Sequence, residues 1–569
     1  MRRREFDIEK CKEIIVSEDY LDLIMETRPS IEEVARRVDA QCYQILTEDY
    51  GVFHIKKEPN QCEDFYFYHD YNDGPNVYGL TSTQAMEAAG IGTLYKSEGL
   101  NLTGKGVIVG IIDTGIDYTN QVFRNNDGST RILSIWDQSI IGNPPEGFLY
   151  GTEYSREQIN EALLDSDPYR IVPSKDTVGH GTYVAGLAAG GWNSIEEFRG
   201  AAPGAEIIVV KLKQAKKCLM DFYQFKDGAI AWQTNDIIQA LNYVIKKAVQ
   251  LDKTVAILFT GGSTEGPHMG VDMLEEVLKY IGNFYGVVTV VSAGNEGNAG
   301  HHFRGKFGLD QKKMDIQLNI AEGEKGLYMA LWTNLPDKLS IEFISPSGYS
   351  TGKIPFINRQ WQTKEDPLEQ TTINIYYDFM EERAAVESIV MLLQNPVPGL
   401  WTMIVHGDIV INGEFDVWLP LTGFIDQETL FLKPDPYDTV VSPGNSDGTI
   451  TVGSYNHLSQ SIYLNTSRGF TRDQRVKPDL VAPGVNLLGP YTNNEYVYRS
   501  GTSGSAAITA GASALLLEWG VVRGNDDLMN TTSAKAYLAR GARRRETINY
   551  PNPEWGYGEL DLFNTFRII

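Results

Sequence analysis

Gly501-Thr502-Ser503-Gly504-Ser505-Ala506 runs straight into Ala507-Ile508-Thr509-Ala510-Gly511-Ala512-Ser513-Ala514-Leu515-Leu516-Leu517. These small and apolar residues predict a buried helix with Ser503 at its N-terminus, where unpaired N–H groups and the helix dipole favour developing negative charge. Upstream, Val107-Ile108-Val109-Gly110-Ile111-Ile112 reads as a buried parallel strand that delivers Asp113 at its carboxyl end, where sites gather in open α/β sheets. His180 opens a third stretch, Gly181-Thr182-Tyr183-Val184-Ala185-Gly186-Leu187-Ala188-Ala189, whose composition suits a buried helix and whose glycines permit close packing. A serine hydroxyl is a weak nucleophile near neutral pH until an imidazole takes its proton, and that imidazole needs a buried carboxylate to orient it. Asp113, His180 and Ser503 are therefore the candidate catalytic set.

A fourth fragment, Val290-Val291-Ser292-Ala293-Gly294-Asn295-Glu296-Gly297, is an apolar strand ending in a glycine-flanked asparagine whose amide can donate to an oxyanion. Each fragment alone is weak, since a strand-terminal Asp is usually a turn residue and an isolated His-Gly is usually structural. Their conjunction in the order Asp, His, Asn, Ser resembles the subtilisin family of serine endopeptidases. That resemblance implies that Asp113 orients, His180 serves as general base and then acid, and Ser503 attacks the scissile carbonyl. Asn295 and the Ser503 backbone N–H would form the oxyanion hole. It also implies a substrate lying as a β-strand along Thr260-Gly261-Gly262 and across Ser292-Ala293-Gly294. The competing reading of Gly261-Gly262 is a plain turn.

Two departures stand beside the likeness. The family usually follows its serine with Met-Ala and a proline, where this chain has Gly504, Ser505, Ala506 and Ala507. Ser505 is the rival nucleophile in a shifted register, but Gly-Thr before Ser503 and the alanine-rich helix after it align without gaps. The missing proline removes a rigid element near the helix start and no catalytic atom.

The chain has 569 residues, 42% of them hydrophobic, enough for roughly three to four domains. No apolar run approaches the ~20 residues that span a bilayer. The formal net charge of −24 argues against nucleic-acid and anionic-membrane partners. The basic start, Met1-Arg2-Arg3-Arg4-Glu5-Phe6-Asp7, lacks an apolar segment, so no secretory signal is expected and the protein is expected to remain in the cytoplasm where it is made. Cys11, Cys42, Cys62 and Cys218 lack the close spacing of a zinc site and are expected as free thiols in a reducing compartment. No cofactor or metal is expected. Structural calcium, common in the family, finds no complete acidic loop, and Asp127 in Asn125-Asn126-Asp127-Gly128-Ser129 reads first as turn chemistry.

The sequence predicts an α/β fold with a subtilisin-like parallel sheet flanked by helices over 85–305 and 436–569. Residues 1–84 form an expected N-terminal α/β domain. Ser30-Ile31-Glu32-Glu33 has the form of a capping box, and strands are predicted at Tyr43-Gln44-Ile45-Leu46 and Gly51-Val52-Phe53-His54-Ile55. Its size and position resemble a subtilisin prodomain, a chaperone whose tail, here about Pro75 to Gln84, occupies the cleft. This implies self-cleavage between Leu80 and Ala85, with Gln84 the candidate residue before the cut; an ordinary domain that is never cleaved is the alternative.

Asn295 and Ser503 lie 208 positions apart, so an insertion is implied. Over 306–435 short period-two runs such as Met314-Asp315-Ile316-Gln317-Leu318-Asn319-Ile320 and Leu339-Ser340-Ile341-Glu342-Phe343-Ile344 alternate with turn residues, predicting an antiparallel β-sandwich of jelly-roll type. A subtilase with a short prodomain and such an insertion looks like the Csp-type germination proteases of spore-forming clostridia. That likeness implies limited proteolysis of a cortex-lytic pro-enzyme, with the prodomain and this protein substrate as partners, and retention in the spore. A prodomain-plugged signalling pseudoprotease and a general intracellular subtilisin are the alternatives.

Overall fold

The computed structural model describes residues 8–28, 30–47, 49–57, 77–78, 87–94, 100–381 and 385–569. Its centre is a nine-stranded sheet in the spatial order Ser461–Ile462, Ile450–Asn456, Val287–Ser292, Thr254–Phe259, Val107–Asp113, Glu206–Lys211, Ile132–Asp137, Thr152–Ser155, with Leu480–Pro483 pairing beside Ile450–Asn456. Every pairing is parallel except those of the two short strands Ser461–Ile462 and Thr152–Ser155.

The unbroken apolar run of Val107–Asp113 follows from covering on both faces. Val107, Val109 and Ile111 enter the core that holds the helices His180–Ala189 and Thr502–Leu517, whereas Ile108 and Ile112 enter the core under Thr234–Gln250 and Met273–Ile281. The helix Thr502–Leu517 is buried along its whole length. The wider helical stretch Thr502–Val522 is long and apolar enough to cross a bilayer, contrary to the sequence expectation, but it lies inside the fold, with 83% of its apolar window buried. Its hydroxyls are satisfied within the core: Thr509 donates to the carbonyl of Ser505 at 2.8 Å and Ser513 to that of Thr509 at 2.8 Å.

The N-terminal unit is a three-stranded antiparallel sheet ordered Tyr20–Glu26, Tyr50–Lys56, Cys42–Ile45. Ser30 caps the helix Ile31–Arg37 by accepting from the N–H of Glu33. The expected free thiols are corrected: Cys11, on the helix Ile8–Val16, is disulfide-bonded to Cys42 with a Cα–Cα separation of 5.5 Å, and Cys218 is disulfide-bonded as well. Both Cys11 and Cys42 are buried beside Ile15, Ile24 and Val52, so the bridge forms part of an apolar core.

This unit docks on the helix Thr234–Gln250, where Gln239 and Asn242 donate side-chain amides to the carbonyls of Ile45 and Leu46, each at 3.1 Å. A buried polar group crosses the seam. Asp22 pairs with Nδ1 of His54 at 2.7 Å and accepts from Nζ of Lys216 at 2.6 Å and Nε2 of Gln233 at 3.0 Å. Burial alone would raise the Asp22 carboxyl, but Lys216 and His54 outweigh it and hold it well below its usual range. Of the expected prodomain tail, Val77–Tyr78 pairs antiparallel with Trp232–Gln233; Gln84 and the expected cleavage window lie outside the described residues.

The chain between 302 and 431 forms a sandwich of a six-stranded and a four-stranded sheet. Along Gly326–Asn334, Leu327, Met329 and Leu331 enter the sandwich core. Tyr328, Ala330 and Trp332 pack outward on Leu219, Phe222 and Tyr223 around the short helix Lys217–Phe222. The larger sheet is thus buried on both faces.

Candidate active site

Asp113 ends its strand beside the N-terminus of the helix that starts at His180. Only glycine fits at 181, because a Cβ there would lie 2.1 Å from the carbonyl oxygen of Gly115, so the small residue lets the helix approach the Asp113 loop. Nδ1 of His180 lies 2.8 Å from Oδ1 of Asp113, and Nε2 lies 3.3 Å from Oγ of Ser503. All three side chains are within 2% of complete burial.

The second oxygen of Asp113 accepts from Oγ1 of Thr260 at 2.7 Å, and Oδ1 also accepts from the N–H of Thr114 at 2.7 Å. Burial pushes the Asp113 carboxyl up, yet the facing His180 and the hydrogen bonds from His180, Thr260 and Thr114 more than offset it, leaving the group below its ordinary pKa and ionised. An ionised carboxylate here fixes the imidazole with Nδ1–H toward Asp113 and leaves Nε2 to take a proton from Ser503.

Asp176 escaped the sequence reading. Its Oδ1 accepts from Oγ1 of Thr114 at 2.9 Å and from the N–H groups of Val178 at 3.1 Å and Gly179 at 2.8 Å. Its Oδ2 accepts from the N–H and Oγ1 of Thr182 at 2.9 and 2.7 Å. One buried carboxylate therefore ties the residue after Asp113 to the residues on either side of His180. The available signal was an aspartate four positions ahead of a helix-opening histidine, which is the look of any loop.

Asn295 is held by its carbonyl end: Oδ1 accepts from the N–H of Thr502 at 3.0 Å, and Oγ1 of Thr502 donates to it at 3.4 Å. That leaves the amide NH2 as a donor beside the first turn of the Ser503 helix, whose leading N–H groups have no intrahelical acceptor. The rival nucleophile is spoken for. Oγ of Ser505 bonds the carbonyls of Ala482 and Pro483, both at 3.0 Å, and lies 2.8 Å from Oγ of Ser454.

Of the expected substrate strands, Thr260 turns its hydroxyl to Asp113, while its carbonyl accepts from Oγ of Ser292 at 3.1 Å, joining the two segments. Gly294 sits at φ +99°, and a Cβ there would lie 2.8 Å from Val441, as a Cβ on Gly262 would lie 2.3 Å from it. The N–H of Ala293 donates to Val452 at 2.9 Å, and Gly261 lies against Phe259 and Trp232. Among the described residues no group of three or more His, Cys, Asp or Glu side chains could hold a metal ion. Asp127 accepts from the N–H and hydroxyl of Ser129 in its own turn.

Comparison with known proteins places the chain in a family. The model of the subtilase family matches residues 104–317 and 433–558, and the stretch it leaves out holds most of the sandwich. The C5a peptidase of Streptococcus pyogenes is 25% identical over 486 residues, covering 78% of this chain and 37% of that protein. The minor extracellular protease Vpr of Bacillus subtilis is 23% identical over 502 residues, covering 82% of this chain and 52% of its own length. The chain thus spans about a third to a half of these curated relatives. The solved structure of the Clostridium perfringens CspB protease is 33% identical with a TM-score of 0.76, covering 85% of this chain and 98% of that one. With a family match across most of the chain and a solved relative followed nearly end to end, this chain belongs to the subtilase family.

Proposed function

We propose that the protein is a serine endopeptidase that processes its own N-terminal unit and then cleaves a specific protein precursor. The carrying observation is the chain of contacts from Asp113 through His180 to Ser503, at 2.8 and 3.3 Å. In this reading Ser503 attacks the scissile carbonyl as Nε2 of His180 takes its proton, and the imidazolium returns that proton to the leaving amine. Asp113 stays ionised and stabilises the imidazolium. The NH2 of Asn295 and the backbone N–H of Ser503 receive the oxyanion, and in such sites one donor is worth roughly 10² to 10³ in turnover. The likeness to the CspB protease supports a protein substrate; the resemblance to Csp-type germination proteases makes a cortex-lytic pro-enzyme the expected precursor, and that to subtilisin prodomains makes Gln84 the expected residue before the self-processing cut.

A second reading, a binding module plugged by its own N-terminal unit, is favoured by the exclusion of Ser503 and His180 from solvent in the intact chain. The purified chain and Ser503→Ala separate the two. The enzyme reading expects the wild type to split, with a new N-terminus at residue 85, and Ser503→Ala to stay whole. Intact chains in both would defeat it.

A further inference from the structure

Glu296, the residue after Asn295, is buried to 4% exposure and does not face the triad. Its Oε2 lies 2.6 Å from Nδ1 of His301, and its Oε1 accepts from the N–H of Thr422 at 3.1 Å. His301 immediately precedes the strand His302–Lys306, on which the chain enters the sandwich; Thr422 lies just beyond Glu414–Trp418, the last long strand before the short closing strand Leu430–Phe431. These two strands pair with each other, and the N–H of Leu419 donates to the carbonyl of His301 at 2.9 Å. One carboxylate therefore clasps both stems of the insertion at their base.

The same stems reach the other substrate-flanking segment. Oγ1 of Thr264 donates to the carbonyl of Leu419 at 2.8 Å, and His268 stacks on Trp418 with ring centroids 4.1 Å apart. On the opposite side, the N–H of Glu296 donates to Oγ of Ser467 at 3.0 Å, and that of Gly297 to the carbonyl of Asn465 at 3.0 Å. The loop that carries Asn295 is thus fixed to the sandwich on one side and to the Ser503 helix, through Thr502, on the other.

We propose that Glu296 is a positioning residue that aims the Asn295 amide by anchoring its loop to the base of the inserted sandwich, which makes the insertion part of the oxyanion-binding apparatus. The proposal rests on the hydrolase reading. It requires both anchors of the side chain: one end accepts from a backbone N–H that cannot move, the other orients His301. A glutamine keeps an acceptor for Thr422 and turns its NH2 to Nδ1 of His301, which can accept in the tautomer protonated at Nε2, a buried nitrogen with no partner among the described residues. Alanine removes both anchors.

The full-length wild type, Glu296→Ala, Glu296→Gln, Asn295→Ala and the Glu296→Ala/Asn295→Ala double variant are compared by their second-order labelling rates with a fluorophosphonate–rhodamine probe, whose phosphoryl oxygen gains negative charge in that site as Ser503 attacks and fluoride leaves. Glu296→Ala is expected to slow labelling by about ten- to a hundred-fold, as sub-ångström misplacement of a catalytic group does. Glu296→Gln is expected to stay within about threefold of wild type, because it keeps both anchors. In the Asn295→Ala background the alanine at 296 should change the rate by less than about twofold, because no amide remains to be aimed. An equal slowing in both backgrounds, or none in either, overturns the proposal. If Glu296→Ala does not fold, His301→Ala, which breaks the entry anchor alone, is read in the same two backgrounds with the same criteria. A folded wild type that neither labels nor splits overturns the hydrolase reading, and this proposal with it; a wild type that reacts identically to Glu296→Ala overturns only the proposal.

Discussion

Thr260 donates its hydroxyl to Oδ2 of Asp113 at 2.7 Å, the oxygen that His180 leaves unused. A residue expected at the rim of the substrate cleft thus also completes the solvation of a buried carboxylate. Thr260→Val keeps the shape and removes the donor. The expected loss is about 1.5–3 kcal/mol, the usual worth of a hydrogen bond to a charged group, or roughly a ten- to hundred-fold slower reaction at Ser503. Fluorophosphonate labelling of the two proteins side by side measures it; an unchanged rate would show that Asp113 does not need this partner.

Asp176 accepts five hydrogen bonds and donates none. Asp176→Asn must turn an NH2 group toward at least one fixed backbone donor, so about 1–3 kcal/mol of stability should be lost. The urea midpoint reports the loss, and a matching fall in labelling rate is expected because the same contacts set the spacing of Asp113 and His180.

Lys216 neutralises Asp22 across the seam between the N-terminal unit and the rest of the chain. Lys216→Met leaves a buried carboxylate with His54 and Gln233 as its hydrogen-bond partners and the more distant Lys213 as its cation, and breaking such a pair costs about 3–5 kcal/mol. Limited proteolysis should show the N-terminal unit digested first in the variant. Replacing Asp22 by Leu in the same chain should recover part of the loss, since no charge is then stranded.

His268 is fully buried between Trp418 and the backbone, and burial pushes its pKa down to about 4. Its folded pKa lies below the ordinary value of 6.5, so the unfolded chain binds more protons between the two. Stability is therefore complete above pH 6.5 and declines as the pH falls toward 4, by about 3 kcal/mol from this group. His268→Phe keeps a ring on Trp418 and titrates nothing, so its urea midpoint should vary less than that of the wild type over this range.

The meeting of Asp113, His180 and Ser503 was legible because the fold places a carboxylate at a strand end and an imidazole and a hydroxyl at two helix starts, each beside small residues that allow close approach. Asp176 was not, since its role depends on which backbone amides fold around it. The strand Val386–Gln394 was hidden for a different reason. Ile389, Met391 and Leu393 enter the sandwich core while Val386, Val390 and Leu392 pack toward the segment 215–231, so the polar–apolar alternation that marks one-sided strands such as Lys313–Ile320 is absent. Cysteine pairing depends on distances between elements far apart in sequence, and spacing alone misassigned Cys11 and Cys42.

Ser503 lies in the first turn of a helix buried along its whole length and meets a histidine 323 positions earlier in the chain. A nucleophile so placed cannot be armed piecemeal. Its histidine arrives only when two helices from distant parts of the chain have packed on the same face of the sheet, so a half-folded copy holds a serine that nothing has armed.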